Sequence, residues 1–285
     1  MPKKGLNGIK KSDIMTLRRQ FVPPEFASPI TFNTIRKEIA LKVIKGITPV
    51  APKLIIHGLP GSGKSTLASK LKYPIFLDLE GGLSFIDCAR TPQIDNDETF
   101  RAYIVDLINA AKAGNREYDT VVIDSIDWAI RLLEEQAAGI RGQDPKTGKK
   151  FKNLTATLNK ANGGYGNGAQ YLVNLVRSEL IPGLSFLNKL GYSICLVAHS
   201  TRKTIMGEDG IDIDRIAPKI HDKVFEVFNE WADDIFYLRN DNGERYLALE
   251  GDENILAKNR QGYTGEVKLS DVDINELLTT IKKEK

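Results

Sequence analysis

Cysteine is scarce in this sequence. Cys88 and Cys195 are the only two, far apart and with no metal-ligand spacing around either. That argues against a disulfide scaffold or a zinc site and makes a reducing cytoplasm the expected compartment. No apolar run approaches the roughly 18–20 residues that a spanning helix needs, so no membrane partner is expected. Lys3, Lys4, Lys10 and Lys11 are followed by no apolar core, unlike a secretory signal. Neither sign of charge is in excess. A net charge of +3 over 285 residues leaves a nucleic-acid surface, if there is one, to a local basic patch. Hydrophobic content of 41% and charged content of 27% are ordinary for a globular chain of one large domain with appendages.

Against this plain background residues 58–65 stand out. They read Gly58-Leu59-Pro60-Gly61-Ser62-Gly63-Lys64-Ser65, with Thr66 next. A short apolar stretch, 53–57, precedes them and a helix-forming stretch, 66–72, follows. This is the strand–loop–helix setting of the phosphate-binding pattern G-x-x-x-x-G-K-[ST]. Glycines let the backbone wrap a polyphosphate with its N–H groups turned inward, and the following helix aims its positive end at the same charge. Lys64 is placed to reach the β- and γ-phosphates and Ser65 to ligate Mg²⁺.

The rest of the chain reads as an α/β fold. Residues 1–30 form a basic, proline-containing lead-in, and 31–45 an amphipathic helix through Ile35, Ile39 and Val43. Buried strands are predicted at 73–79, 120–124 and 192–198. Helices are predicted at 97–113, from Ser125 onward, and at 171–190 with a kink or break at Pro182. Short strands at 233–238, 245–250 and 255–258 follow, the first two joined by an Asp241-Asn242-Gly243 turn. The pattern predicts a mostly parallel sheet flanked by helices with an antiparallel C-terminal edge. The expected division is an arm and helix over 1–50, an ATPase-type core over 51–270, and a helical tail over 271–285.

Four positions at predicted strand ends carry candidate chemistry. Asp124 closes the apolar run Thr120-Val121-Val122-Ile123 beside the phosphate loop, where a carboxylate holds Mg²⁺ and its waters; capping the next helix is the alternative, and Ser125 can do that itself. Glu80 ends Phe76-Leu77-Asp78-Leu79-Glu80 before two glycines, placed to polarise an attacking water, or else a solvated strand-end acid. His199 follows a strand, either a structural histidine or a sensor of the γ-phosphate. Lys258 and Arg260, one residue apart, leave a strand on one side. They read either as a solvated basic turn or as cations reaching a neighbouring subunit's site.

Taken together, these segments resemble the RecA/DnaB superfamily of P-loop ATPases from about residue 53 to 268. Phe76–Glu80 looks like the segment carrying the catalytic glutamate, and Val121–Ser125 like the magnesium-aspartate strand. Ala257-Lys258-Asn259-Arg260-Gln261-Gly262 is similar to the helicase finger motif and the RecA lysine pair. Val197-Ala198-His199-Ser200 and the compact size look most like phage-encoded RecA-like proteins of the Sak type, although RecA has glutamine where this chain has His199. The resemblance implies ATP and Mg²⁺ as cofactors. It also implies a head-to-tail homo-oligomer on single-stranded DNA, active in annealing or recombination in the host cytoplasm, with a single-strand-binding protein as a further partner. A ring-forming helicase or loader, or a KaiC-like regulatory switch, shares the core. The family's two DNA loops correspond to 139–170 and 200–217. The first carries Arg141, Lys146, Lys149, Lys150, Lys152 and Lys160 with Phe151 and Tyr165; the second carries Arg202, Lys203 and Arg215 among four acids. Ordinary surface loops are the alternative for both.

Overall fold

The apolar runs become strands because they alternate between two cores. A computed structural model describes residues 45–46, 50–138, 158, 165–206 and 212–279. Met1–Thr48 and Pro49–Lys285 are separate units, and all elements named here belong to the second. The expected helix at 31–45 lies, but for residue 45, outside the described residues. Among the described residues nine strands form the sheet: β1 (Lys53–Gly58), β2 (Pro74–Asp78), β3 (Ala89–Arg90), β4 (Thr120–Asp124), β5 (Ser193–Met206), β6 (Asp212–Pro218), β7 (Asp234–Asp241), β8 (Glu244–Ala248) and β9 (Glu266–Lys268). Their order is β3-β2-β4-β5-β1-β7-β8-β9, with β6 paired to β5 outside this path. The strands from β3 to β7 are parallel, and β8 and β9 close the sheet antiparallel. Fold class and antiparallel edge are as the pattern predicts.

Period-2 geometry sends successive side chains to opposite faces. Ile55, Val121, Ile123, Ile194 and Leu196 face one layer of helices: α2 (Asp97–Lys112), α3 (Ile126–Ala137), α4 (Asn167–Leu175), α5 (Ile181–Lys189) and α6 (Asp222–Trp231). Leu54, Ile56, Val122, Cys195 and Val197 face α1 (Lys64–Ala68) and, toward the C-terminus, Tyr263 and α7 (Ile274–Thr279). Such two-sided burial is why these strands read as continuous apolar runs rather than alternating ones.

Several boundaries differ from expectation. The helix after the phosphate loop starts earlier and is shorter than 66–72. Pro182 does not break its helix: a π-turn over Val176–Leu180 joins α4 to α5, and Pro182 falls in the first turn of α5, where a missing N–H is tolerated. Residues 255–258 make only single bridges, Ile216 with Ile255 and Ile235 with Lys258. The segment read as a polar loop after His199 is instead a long hairpin. Seven pairs, Ser200 with Pro218 through Met206 with Asp212, carry β5 beyond the parallel sheet. Asn242 and Gly243, both at positive φ, make the expected tight turn between β7 and β8. No described helix is long and apolar enough to cross a membrane.

Candidate active site

Four strand ends converge. Gly58 of β1 is level with His199 of β5, Val197 with Asp124 of β4, and Asp124 with Asp78 of β2. The phosphate loop, His199, Asp124 and Glu80 therefore gather at the carboxyl ends of adjacent parallel strands, the position where open α/β sheets bind ligands. One detail departs from expectation: β4 is not the immediate neighbour of the loop strand, because β5 lies between them. His199 thereby sits between the loop and the two acids.

The loop itself is built for an anion. Gly63, at φ 97°, takes a backbone conformation that L side chains rarely adopt. Lys64 is buried and donates from Nζ to the carbonyls of Gly58 and Leu59, both at 3.1 Å. Burial lowers its pKa, with Asp124 opposing. The Ser62 hydroxyl is buried without a hydrogen-bond partner in the protein. An orphaned donor and a partly desolvated ammonium facing one loop suit a triphosphate. Asp124 has the complementary deficit. Burial pushes its carboxyl up to about 6; the Ser65 hydroxyl and Lys64 oppose this, while Glu80 and Asp78 add to it. An oxygen-only pair, Ser65 and Asp124, in a site crowded with carboxylates fits Mg²⁺.

The two acids at and just after the end of β2 take different roles. Asp78 is buried; its Oδ1 accepts from the Gly81 N–H at 2.7 Å and so holds the turn. Glu80 has no such duty and is 36% exposed, facing His199 Nε2 at 3.5 Å. Behind the imidazole stands Asp127 of α3, which the sequence reading did not single out. It accepts from His199 Nδ1 at 2.9 Å and from the His199 backbone N–H at 3.2 Å.

Two further residues were missed. His57, just before the loop, is wholly buried; Nε2 donates to the Leu256 carbonyl at 2.7 Å and Nδ1 accepts from the Ser200 hydroxyl at 2.9 Å. Arg245 of β8 donates from Nε to the Ser62 carbonyl at 3.2 Å. It lies against Gly63 so closely that a Cβ there would meet Nε at 2.6 Å. A histidine inside an apolar run and an arginine in an edge hairpin give no local signal. Asp127 gives a faint one, three residues after Asp124 on the helix that Asp124 precedes.

Lys258 and Arg260 are not at this site. Lys258 pairs with Ile235, near the start of β7, and the Arg260 N–H donates to Asp234, so both lie at the opposite end of β1 from the loop. There they meet the C-terminus of α6. Lys53 donates to the Trp231 carbonyl, Lys258 to that of Asn229 and Arg260 to that of Glu230. Cations in this position satisfy carbonyls left over at a helix end and complement its dipole. Arg260 also pairs with Asp233 at 3.4 Å and keeps a side chain 60% exposed.

Of the candidate DNA residues, Arg202 is exposed on β5. Lys203 is engaged with the Ile220 carbonyl and Asp222. Arg141, Lys146, Lys149, Lys150, Lys152 and Lys160 lie outside the described residues. Residues 51–261 match the family model described as "AAA domain". No curated protein matches the chain.

Proposed function

The chain belongs to the AAA-domain family of P-loop ATPases, and on that premise we propose that it is a Mg²⁺-dependent ATPase that binds single-stranded DNA and assembles head to tail for annealing or recombination. One observation carries the reading. The phosphate loop, Asp124, Glu80 and His199 meet at one end of the sheet, whereas the paired cations Lys258 and Arg260 sit at the other. They cannot reach their own loop, so any catalytic role they have is toward another copy.

In this reading the loop N–H groups and Lys64 bind the phosphates. Ser65 and Asp124 hold Mg²⁺, which supplies neutralisation of charge on the phosphoryl oxygens. Glu80 accepts a hydrogen bond from the attacking water and orients it. The exposed Arg202, on the hairpin that continues β5 beyond the same end of the sheet, together with the basic segment 141–152, supplies phosphate contacts for DNA.

A gel shift with a single-stranded oligonucleotide over a salt series, with and without ATP, tests the DNA reading. Salt-dependent binding is expected, weakened when Lys146, Lys149, Lys150 and Lys152 are neutralised together, each lost contact lowering the log–log slope by about 0.7. Absence of binding would favour a regulatory switch acting on protein partners. Electron micrographs with ATP and DNA separate filaments from the closed rings of a helicase or loader.

A further inference from the structure

Glu80 is the carboxylate with freedom to move. Its neighbour Asp78 is tied to Gly81, and Asp124 is buried beside Ser65, but Glu80 stands 36% exposed at the end of its strand. A residue that must orient one water gains nothing from that freedom, since misplacement by about 1 Å can cost about 100-fold in rate. Its described side-chain contact is His199 Nε2 at 3.5 Å. Something must therefore hold the imidazole.

Asp127 does so twice over. One of its oxygens accepts the ring Nδ1–H and the other accepts the N–H of the same residue's backbone, at 2.9 and 3.2 Å. The first bond fixes the tautomer and the plane of the ring; the second fixes the main chain from which the ring departs. With Nδ1 committed, Nε2 is the nitrogen left to face Glu80. Charge reinforces the geometry. The Asp127 hydrogen bond raises the His199 pKa against the opposing effect of burial, and burial's upward push on Asp127 is overcome by the bonds and charge of His199. Glu80 and Asp78 both raise the Asp124 pKa as like charges, and Lys64 opposes them.

We propose that Asp127 is a positioning residue for hydrolysis: it acts through His199, whose ring it aims at Glu80, so that α3, β5 and the turn after β2 jointly set where the water-orienting carboxylate points. This deepens the ATPase reading and rests on Glu80 having that role. Asp127 reaches Glu80 through the His199 ring, to which its hydrogen bonds run. Its effect must vanish when the imidazole is removed, which separates it from a residue that merely packs α3 against the sheet.

Two measurements test it. Asp127→Asn keeps the shape and an acceptor but loses the charge; kcat is expected to fall about 10–100-fold while KM for ATP changes little. In a His199→Ala background the same substitution should cost nothing further in kcat. An equal loss in both backgrounds, or a wild-type kcat in Asp127→Asn, overturns the proposal. The second measurement needs no turnover. The chain has three histidines, so ¹⁵N spectra of the imidazoles at neutral pH are readily assigned by deleting His199. In the wild-type protein His199 should show a protonated, hydrogen-bonded Nδ1, and Asp127→Ala, which removes the acceptor, should abolish that signature. A wild-type His199 with a bare Nδ1 overturns the proposal even if the variants fold poorly. A wild-type protein that turns over no ATP but shows the Nδ1 signature would instead remove the ATPase reading.

Discussion

His57 donates its Nε2 proton to the carbonyl of Leu256, 2.7 Å away, and ties the strand that carries the phosphate loop to the segment that carries Lys258 and Arg260. Nδ1 takes the Ser200 hydroxyl, one residue beyond His199, so a single buried ring joins three parts of the proposed machine.

The same ring makes stability depend on pH. Burial lowers its pKa from 6.5 to about 4, so between those values the unfolded chain binds a proton that the folded one does not. Stability from this group is whole above pH 6.5 and declines as pH falls, by about 2 kcal/mol at pH 5. Asp124, raised to about 6, works in the opposite sense: its folded form takes the proton first and gains stability as pH drops. The measurement is therefore a difference. Urea midpoints at pH 8 and pH 5 should fall more in wild type than in His57→Gln. Parallel shifts would show that His57 is charged in the folded protein or open to solvent.

Exchanging one carboxylate at a time separates Asp78 at the end of β2 from Glu80 just beyond it. Glu80→Gln should bind ATP as the parent does and lose about 100-fold or more of its turnover, because the amide keeps the shape but not the charge that orients water. Asp78→Asn should show its main effect in the melting temperature, since the Gly81 N–H loses a charged acceptor worth about 1.5–3 kcal/mol. Paired ATPase and thermal-melt assays decide; a stable, inactive Asp78→Asn beside an active Glu80→Gln would reverse the roles.

Arg245 should matter for affinity. Its guanidinium lies on Gly63 and holds the Ser62 carbonyl, bracing the loop from the side away from Glu80. Arg245→Ala should weaken ATP binding about 10- to 100-fold, the worth of one hydrogen bond to a charged donor, with kcat affected less. Isothermal titration with ATP checks this, and unchanged affinity would make the contact incidental.

How much of this was legible in the sequence follows from what each residue depends on. The loop, Asp124 and Glu80 are local signals: an apolar run long enough for a buried strand, ended by the residue that chemistry needs at a strand's carboxyl end. His57 has no such signal, because its partners Ser200 and Leu256 come from distant segments. Asp127 becomes meaningful only once β5 is known to lie between β1 and β4. The β5–β6 hairpin was hidden by its composition. Thr204 and Asp214, or Lys203 and Arg215, read as loop residues until the ladder sets them opposite one another and the Thr204 hydroxyl finds Asp214 at 2.8 Å.

Arg260 carries the most exposed prediction. If its place at the end of α6 were purely structural, Arg260→Ala should cost stability and leave turnover alone. The surroundings argue that the structural cost is small. The side chain is 60% exposed, its ion pair is of a kind worth under about 1 kcal/mol, and Asp233 keeps Lys53 at 3.4 Å when Arg260 is gone. Lys258 and Lys53 still cover the neighbouring carbonyls of α6. We therefore expect Arg260→Ala to melt within a few degrees of wild type and to bind ATP, yet to lose DNA-stimulated turnover, because a cation supplied across an interface contributes about 10³–10⁵ in rate in related chemistry. Lys64→Ala should be inactive for the opposite reason: its own loop cannot hold the phosphates, although its Arg260 is intact. Mixed, the two inactive proteins can form interfaces in which an intact loop from one meets an intact Arg260 from the other. Partial recovery of turnover in the mixture is the expected result. Two variants that co-assemble, shown by light scattering, and remain inactive would return Arg260 to its role as a helix cap.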